Sequence, residues 1–178
     1  MTYKWSISEQ KISAALVTLL TEKEFEQLTI QDITETAGVS RATFYNHFSN
    51  KENMVEVISA KLLDDISVIL IPDRKLGEPV ISQALAYIKE HYSLVYSLID
   101  HFPDIELTLK TFISDTILHS DIDLKQKVRN YYEMQEKFAI EIYITTIYSL
   151  IITWIKTGAK ESPAEMAKTI KHPINQHR

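Results

Sequence analysis

Arg41, Ala42, Tyr45 and Asn46 fall together on one side of a helical wheel, with Phe44 and Phe48, at i and i+4, on the other. A guanidinium, a phenol and a carboxamide presented outward from one helix are recognition chemistry. The helix that would carry them is preceded by Gly38, placed to end an earlier helix in a left-handed conformation, and by Ser40, placed to cap the next. Further upstream, Thr29-Ile30-Gln31-Asp32 reads as a capping box with an acid shorter than the usual Glu, and Ile30, Ile33 and Ala37 supply its apolar side. Two short helices joined by a tight glycine-containing turn form a helix-turn-helix, whose second helix fits the major groove of duplex DNA. Plain three-helix packing has the same spacing, so the pattern alone leaves DNA binding and simple packing both open.

Residues for catalysis or metal binding are missing or misplaced. The chain has no Cys, which excludes disulfides, thiolate zinc sites and a cysteine nucleophile. It has no Gly-rich phosphate loop, no Gly-x-Ser-x-Gly elbow and no His-Glu-x-x-His helix. Ser8-Glu9-Gln10-Lys11 fits Ser-x-x-Lys, but it lies on the opening turn of a helix without its companion motifs. The six His have no regular spacing, although His172 and His177 in the tail could bind a metal fortuitously. The sequence predicts a protein that is not an enzyme and has neither metal nor cofactor.

The elements that must position the recognition helix follow from composition and spacing. The 178 residues are 45% hydrophobic and 24% charged, enough for one or two packed domains, so wholesale disorder is excluded. Three Gly and five Pro are too few for a sandwich of many short strands, and the fold class is all-α. Ser6-Ile7-Ser8-Glu9 is a capping box that starts a helix from Ile7 to Leu20. The recognition helix is expected over Arg41–Phe48, and Ser49-Asn50-Lys51-Glu52 reads as a further box opening a long helix that runs towards Pro72 and contains the domain boundary. Helices are then predicted near Pro79–Glu90, Tyr92–Asp100, Asp104–His119, Leu124–Thr157 with a break near Tyr131, and Pro163–Lys171, the last opened by the Ser162-Pro163-Ala164-Glu165 box.

Charge sets the terms on which DNA could be bound. The net charge is −5, and residues 1–56 hold five cations (Lys4, Lys11, Lys23, Arg41, Lys51) against eight acids. Any cations on DNA must therefore be positioned rather than numerous, and non-specific affinity should be modest. The amino terminus, Met1 to Gln10, lacks the pattern of a secretory signal, so export is not expected. Phe138 to Ile155 is about long enough to span a bilayer, but Glu141, Thr145, Ser149 and Lys156 share a stripe. It is read as a largely buried helix that contacts both its own core and a second subunit.

The stretch from Leu28 to Glu52, Leu-Thr-Ile-Gln-Asp-Ile-Thr-Glu-Thr-Ala-Gly-Val-Ser-Arg-Ala-Thr-Phe-Tyr-Asn-His-Phe-Ser-Asn-Lys-Glu, closely resembles the signature of the tetracycline-repressor (TetR) family of transcriptional regulators. The resemblance runs from Ile7 to Ile58. The segment from Trp154 to Gly158 and on to Ala167 is similar to the ending of a subgroup that contains a dihydroxyacetone-kinase operon activator. The resemblance implies a helix-turn-helix DNA-binding domain over residues 1–52 and a helical effector-binding and dimerisation domain over 53–178. It also implies DNA contacts by Thr29, Ser40, Arg41, Ala42, Thr43, Tyr45, Asn46, His47 and Lys51. Thr29 would give its amide and hydroxyl to a phosphate, or act only as a cap. Arg41 suits guanine O6 and N7, with a phosphate contact or a surface ion pair as the plain alternative. Ala42 could touch a thymine methyl and Asn46 could read adenine, while Thr43, Tyr45, His47 and Lys51 match positions that hold the backbone. Phe44 and Phe48 read as core. Only Lys4 stands where many members have several basic residues ahead of the first helix, so a minor-groove arm is not expected.

For the second domain the resemblance implies a homodimer and a small-molecule effector, for which Tyr92, Tyr96, Phe112, Tyr132, Tyr143 and Trp154 could line a cavity, although aromatic residues at helical spacing are usually core. The expected partners are double-stranded operator DNA, a second copy and an effector, with no membrane, in the cytoplasm. The expected mode is repression, with the effector shifting the long fourth helix to release the operator. The alternative is a regulator or activator whose second domain answers to a protein.

Overall fold

The computed structural model describes residues 5–123 and 135–171. Among these residues the chain forms nine α-helices and one 3-10 turn, with no strand. The predicted helical segment 124–134, the tail from His172, and with them Lys4, Tyr131, Tyr132, His172 and His177, lie outside the described residues.

Helix α1, Ile7–Leu20, starts where its box predicts: the Glu9 amide donates to Ser6 Oγ at 3.2 Å, and the Ser6 amide to Glu9 Oε2 at 2.8 Å. A 3-10 turn, Phe25–Gln27, follows, with no signal in the sequence reading. Helix α2, Ile30–Ala37, ends at Gly38, whose φ of +61° is the left-handed conformation that glycine adopts at little cost. Helix α3 spans Arg41–Tyr45 and is shorter than expected. Beyond it the backbone loosens into a turn, His47 and Phe48 both donating to the Phe44 carbonyl. That turn lets the next helix cap one residue later than predicted. Asn50, not Ser49, is the capping residue of α4, Lys51–Leu70: the Asn53 amide donates to Asn50 Oδ1 at 2.7 Å, and the Ser49 amide to Asn53 Oδ1 at 3.1 Å. Asn53 thus fills the role that the sequence reading gave to Glu52.

The remaining helices are α5, Glu78–Glu90; α6, Tyr92–His101; α7, Pro103–Leu118; α8, Glu136–Lys156; and α9, Pro163–Lys171. The predicted Ser162 box at α9 is present, with Glu165 Oε2 accepting from the Ser162 amide at 2.9 Å.

Two compact units result. The first runs through Asp65 and takes in Ser93–Ile105; the second holds Ile66–Tyr92 and the described residues from Glu106 onward. Packing therefore divides the chain differently from a cut at 52/53, because most of α4 and the α6–α7 corner lie with the amino-terminal helices. Ile12, Leu16, Ile33, Phe44, Phe48, Met54, Ile58 and Leu98 form the buried centre of the first unit. Glu9 and Lys61 join α1 to α4 by an ion pair of 2.5 Å that is almost shut off from solvent. Beside it the Trp5 indole donates to Asp65 at 3.0 Å, and the Lys61 ammonium lies over the Trp5 ring. Burial raises the pKa of Glu9, but hydrogen bonds from Lys61 and from the Ser6 amide and hydroxyl outweigh it and hold the carboxyl below its ordinary value.

In the second unit α9 packs on α5, and Ile144, Ile155, Met166, Ala167 and Ile170 are among the buried residues. Glu106 accepts from the Tyr148 hydroxyl at 3.0 Å and pairs with Lys156. Helix α8 departs from the expectation of a largely buried helix: only 33% of its most apolar window is buried, and Phe138 and Ile142 face outward. Among the described residues it alone is long and apolar enough to cross a membrane, and no described element covers its outer face.

Candidate nucleic-acid interface

The helix-turn-helix is set by three short-range devices. Thr29 caps α2, Gly38 turns the chain, and Ser40 Oγ caps α3 by accepting the Thr43 amide at 3.0 Å. Across the turn the Val39 amide donates to the Thr34 carbonyl at 3.0 Å, so α3 starts a fixed distance from α2. Phe44 and Phe48 are buried as read from the sequence, their rings 5.4 Å apart, and they orient α3 so that its other side faces solvent.

Arg41, Ala42, Tyr45 and Asn46 form that outer side and are all exposed. The side chains of Arg41 and Asn46 have no hydrogen-bond or ion-pair partner among the described residues, and the Tyr45 hydroxyl is likewise unengaged, its ring edge-on to Phe44. Donors and acceptors left open to water on a rigid helix can be transferred to base edges or phosphates without breaking an internal bond.

The other five expected contacts are already engaged. Thr29 gives its amide, at 2.9 Å, and its hydroxyl, at 2.7 Å, to Asp32. These hydrogen bonds, with help from Lys23 at 3.5 Å, hold the Asp32 carboxyl below its ordinary value, so a negative charge sits at the start of α2. Ser40 and Thr43 share a hydroxyl contact of 2.8 Å. His47 Nε2 is 2.8 Å from the Ser8 hydroxyl of α1. The Lys51 ammonium donates to the carbonyls of Phe25, Glu26 and Leu28. The 3-10 turn behind these last bonds is what the sequence reading missed.

Of the described residues expected to line an effector cavity, only Phe112 and Tyr143 come together. Phe112 and Tyr143 line a small apolar cavity of about 100 Å³ with Leu85, Ile117 and Ile147, and Lys171 lies at its wall. Burial pushes the Lys171 ammonium down, against Asp73 and Glu78, which act in the opposite sense. Trp154 instead lines an open groove of about 590 Å³ along α8 and α9 with Ile142, Thr145, Ser149 and Thr153. Tyr92 donates its hydroxyl to the Ile155 carbonyl at 3.2 Å, a structural bond. Tyr96 belongs to the first unit and lines neither cavity, and Tyr132 is outside the described residues. Tyr96 is set apart from the other described residues because α6 passes from one unit to the other between Tyr92 and Ser93, which helical spacing cannot reveal.

Residues 12–58 match the family model of bacterial regulatory proteins, tetR family, and residues 78–176 match that of a transcriptional regulator C-terminal region. An uncharacterized HTH-type transcriptional regulator of Bacillus subtilis, YxbF, is 22% identical over 181 residues, covering 96% of this chain and 46% of its own. The HTH-type dhaKLM operon transcriptional activator DhaS of Lactococcus lactis is 38% identical over 72 residues, 38% of either chain. The matched stretches therefore cover less than half the length of these two curated relatives. Solved structures share its fold. The dihydroxyacetone kinase operon activator DhaS superposes with a TM-score of 0.63 at 18% identity, over 94% of this chain and 93% of that one. A TetR transcriptional regulator from Streptococcus agalactiae does so with 0.60 at 19%, with the same coverage.

Proposed function

We propose, from the premise that the chain belongs to the tetR family of bacterial regulatory proteins, that it acts in the cytoplasm as a homodimer that binds a near-palindromic operator and regulates transcription from it. The observation that carries this is the outer side of α3, where Arg41, Ala42, Tyr45 and Asn46 are exposed and, where polar, unengaged. Arg41 is its single cation and is the base-reading residue, its planar fork suited to guanine O6 and N7. Asn46 and Ala42 read neighbouring bases. Tyr45 takes a phosphate, and Thr29, Ser40, Thr43 and His47 sit at the backbone, where their internal bonds fix the register. The protein is a binding protein, not an enzyme.

Two copies associate through the outer face of α8, where Phe138 and Ile142 are exposed beside the groove lined by Thr145, Ser149 and Thr153. The control step is repression, relieved when an apolar molecule enlarges the cavity at Phe112 and Tyr143, with α4, which has residues in both units, as the connecting element. A second reading, activation in answer to a protein partner, is favoured by the small volume of that cavity, below the roughly 300 Å³ of ordinary ligand sites. The likeness of the chain to an operon activator also favours it.

The test is a titration of the ligand-free protein against the DNA upstream of its own gene, at two salt concentrations, with random duplex as control. Tight, sequence-specific and salt-sensitive binding supports the repressor. Absence of specific binding by a folded dimer removes it and leaves the partner-dependent reading.

A further inference from the structure

The carbonyl groups of Phe25, Glu26 and Leu28 converge on one atom. Lys51 Nζ, from the first residue of α4, donates to them at 2.8, 3.0 and 3.0 Å. An ammonium has three protons and no acceptor, so its donor capacity is filled. The same nitrogen lies 4.7 Å from the centroid of the Phe25 ring, which Phe102 meets edge-on at 4.8 Å. Leu28, the last of the three carbonyl residues, is buried and is joined directly to Thr29, the cap of α2. For a phosphate to take Lys51, the ammonium would have to leave at least one of those carbonyls; its bonds to Phe25 and Leu28 are partly buried, where replacement by water is incomplete, and only the bond to Glu26 is exposed.

We propose that Lys51 is a positioning residue for DNA binding, which acts through the Leu28–Thr29 backbone to fix the start of α2 and makes no phosphate contact of its own. This rests on the reading that the α2–α3 surface meets DNA. A compact ammonium can address three convergent carbonyls from one point. The planar fork of an arginine spreads its donors and cannot, although it is fully competent for a phosphate. The two roles therefore respond differently to the same pair of substitutions. Lys51→Met keeps the stem and removes the charge. Lys51→Arg keeps the charge and spoils the convergence.

The experiment uses a duplex selected from a randomised pool by the wild-type protein. Affinity is measured over a series of salt concentrations, and amide hydrogen exchange is followed in the free proteins. Positioning predicts that both variants lose about tenfold in affinity, while the slope of log K against log salt stays at the wild-type value. Exchange quickens at the amides of Gln27, Leu28 and Ile33, which close this turn and the start of α2, while those of α1 keep their protection. A phosphate contact predicts the reverse: a slope shallower by about 0.9 for Lys51→Met, near-normal binding for Lys51→Arg and unchanged exchange, and that result overturns the proposal. If Lys51→Met fails to fold, Lys51→Arg decides alone, since normal affinity and exchange in it reject positioning. If the wild-type protein selects no duplex, the DNA reading fails. Exchange then judges Lys51 separately, with unchanged protection in both variants rejecting its role in fixing α2.

Discussion

Arg41 and Glu9 show what single residues contribute in opposite surroundings. Arg41 is exposed with no internal partner, so its removal should leave the fold untouched and act on sequence discrimination alone. Arg41→Ala should relax preference at one base pair by about 1–3 kcal/mol, read by comparing the selected duplex with its single-position variants. Equal losses on selected and random DNA would reject the assignment. Glu9 is buried, and its carboxyl is held below its ordinary value. A depressed acid contributes stability at pH above its unfolded-state value and loses that contribution as the pH falls through the folded one. The melting temperature of the wild type should thus fall more steeply than that of Glu9→Gln between about pH 5 and pH 3. Parallel curves would show that the pair with Lys61 does not govern acid stability. The amino terminus of α1 was legible as a capping box, yet the second use of Glu9 as the partner of Lys61 was not. The two residues are far apart in sequence, and only the packing of α1 on α4 brings them together.

At the scale of elements, local signals were read well wherever a bond closes within a few residues. The boxes at Ser6, Thr29 and Ser162 and the left-handed Gly38 stand where spacing puts them. Gly38→Ala should destabilise the first unit by about 1 kcal/mol. A Cβ there would meet no atom within 4 Å, so the cost comes from the positive φ alone. Thermal melts should show this together with weaker operator binding, and an unchanged melting temperature would mean that the turn can relax. The extent of α3 and the cap of α4 were misjudged for one reason. Ser49, Asn50 and Asn53 all have side chains able to cap, and the choice depends on how Phe48 must turn to reach the core. The 3-10 turn at Phe25 was illegible because its partners, Lys51 and Phe102, are remote in the chain.

For the whole molecule, the sequence showed that α8 carries more apolar surface than one small neighbour can cover, and the structure leaves Phe138 and Ile142 outside. Replacing both by Ser should shift the protein from dimer to monomer in sedimentation and, by separating the two reading helices, lower operator affinity by about a hundredfold or more. A double variant that remains dimeric would move the interface elsewhere. The pocket residues were the least legible part, because an aromatic side chain on a helix satisfies a core and a cavity wall equally well. Tyr143 lines a cavity while Tyr92 ties helices together, and their spacing does not separate the two.

The amino-terminal unit is not one continuous stretch: Leu98 lies in its buried centre and Phe102 meets Phe25 edge-on, both from Ser93–Ile105. A recombination crossover within α4 would therefore hand a recipient protein a reading head without the segment that closes it. To transplant the DNA specificity of this chain, residues 93–105 must travel with the first 65, as two pieces of one inheritance.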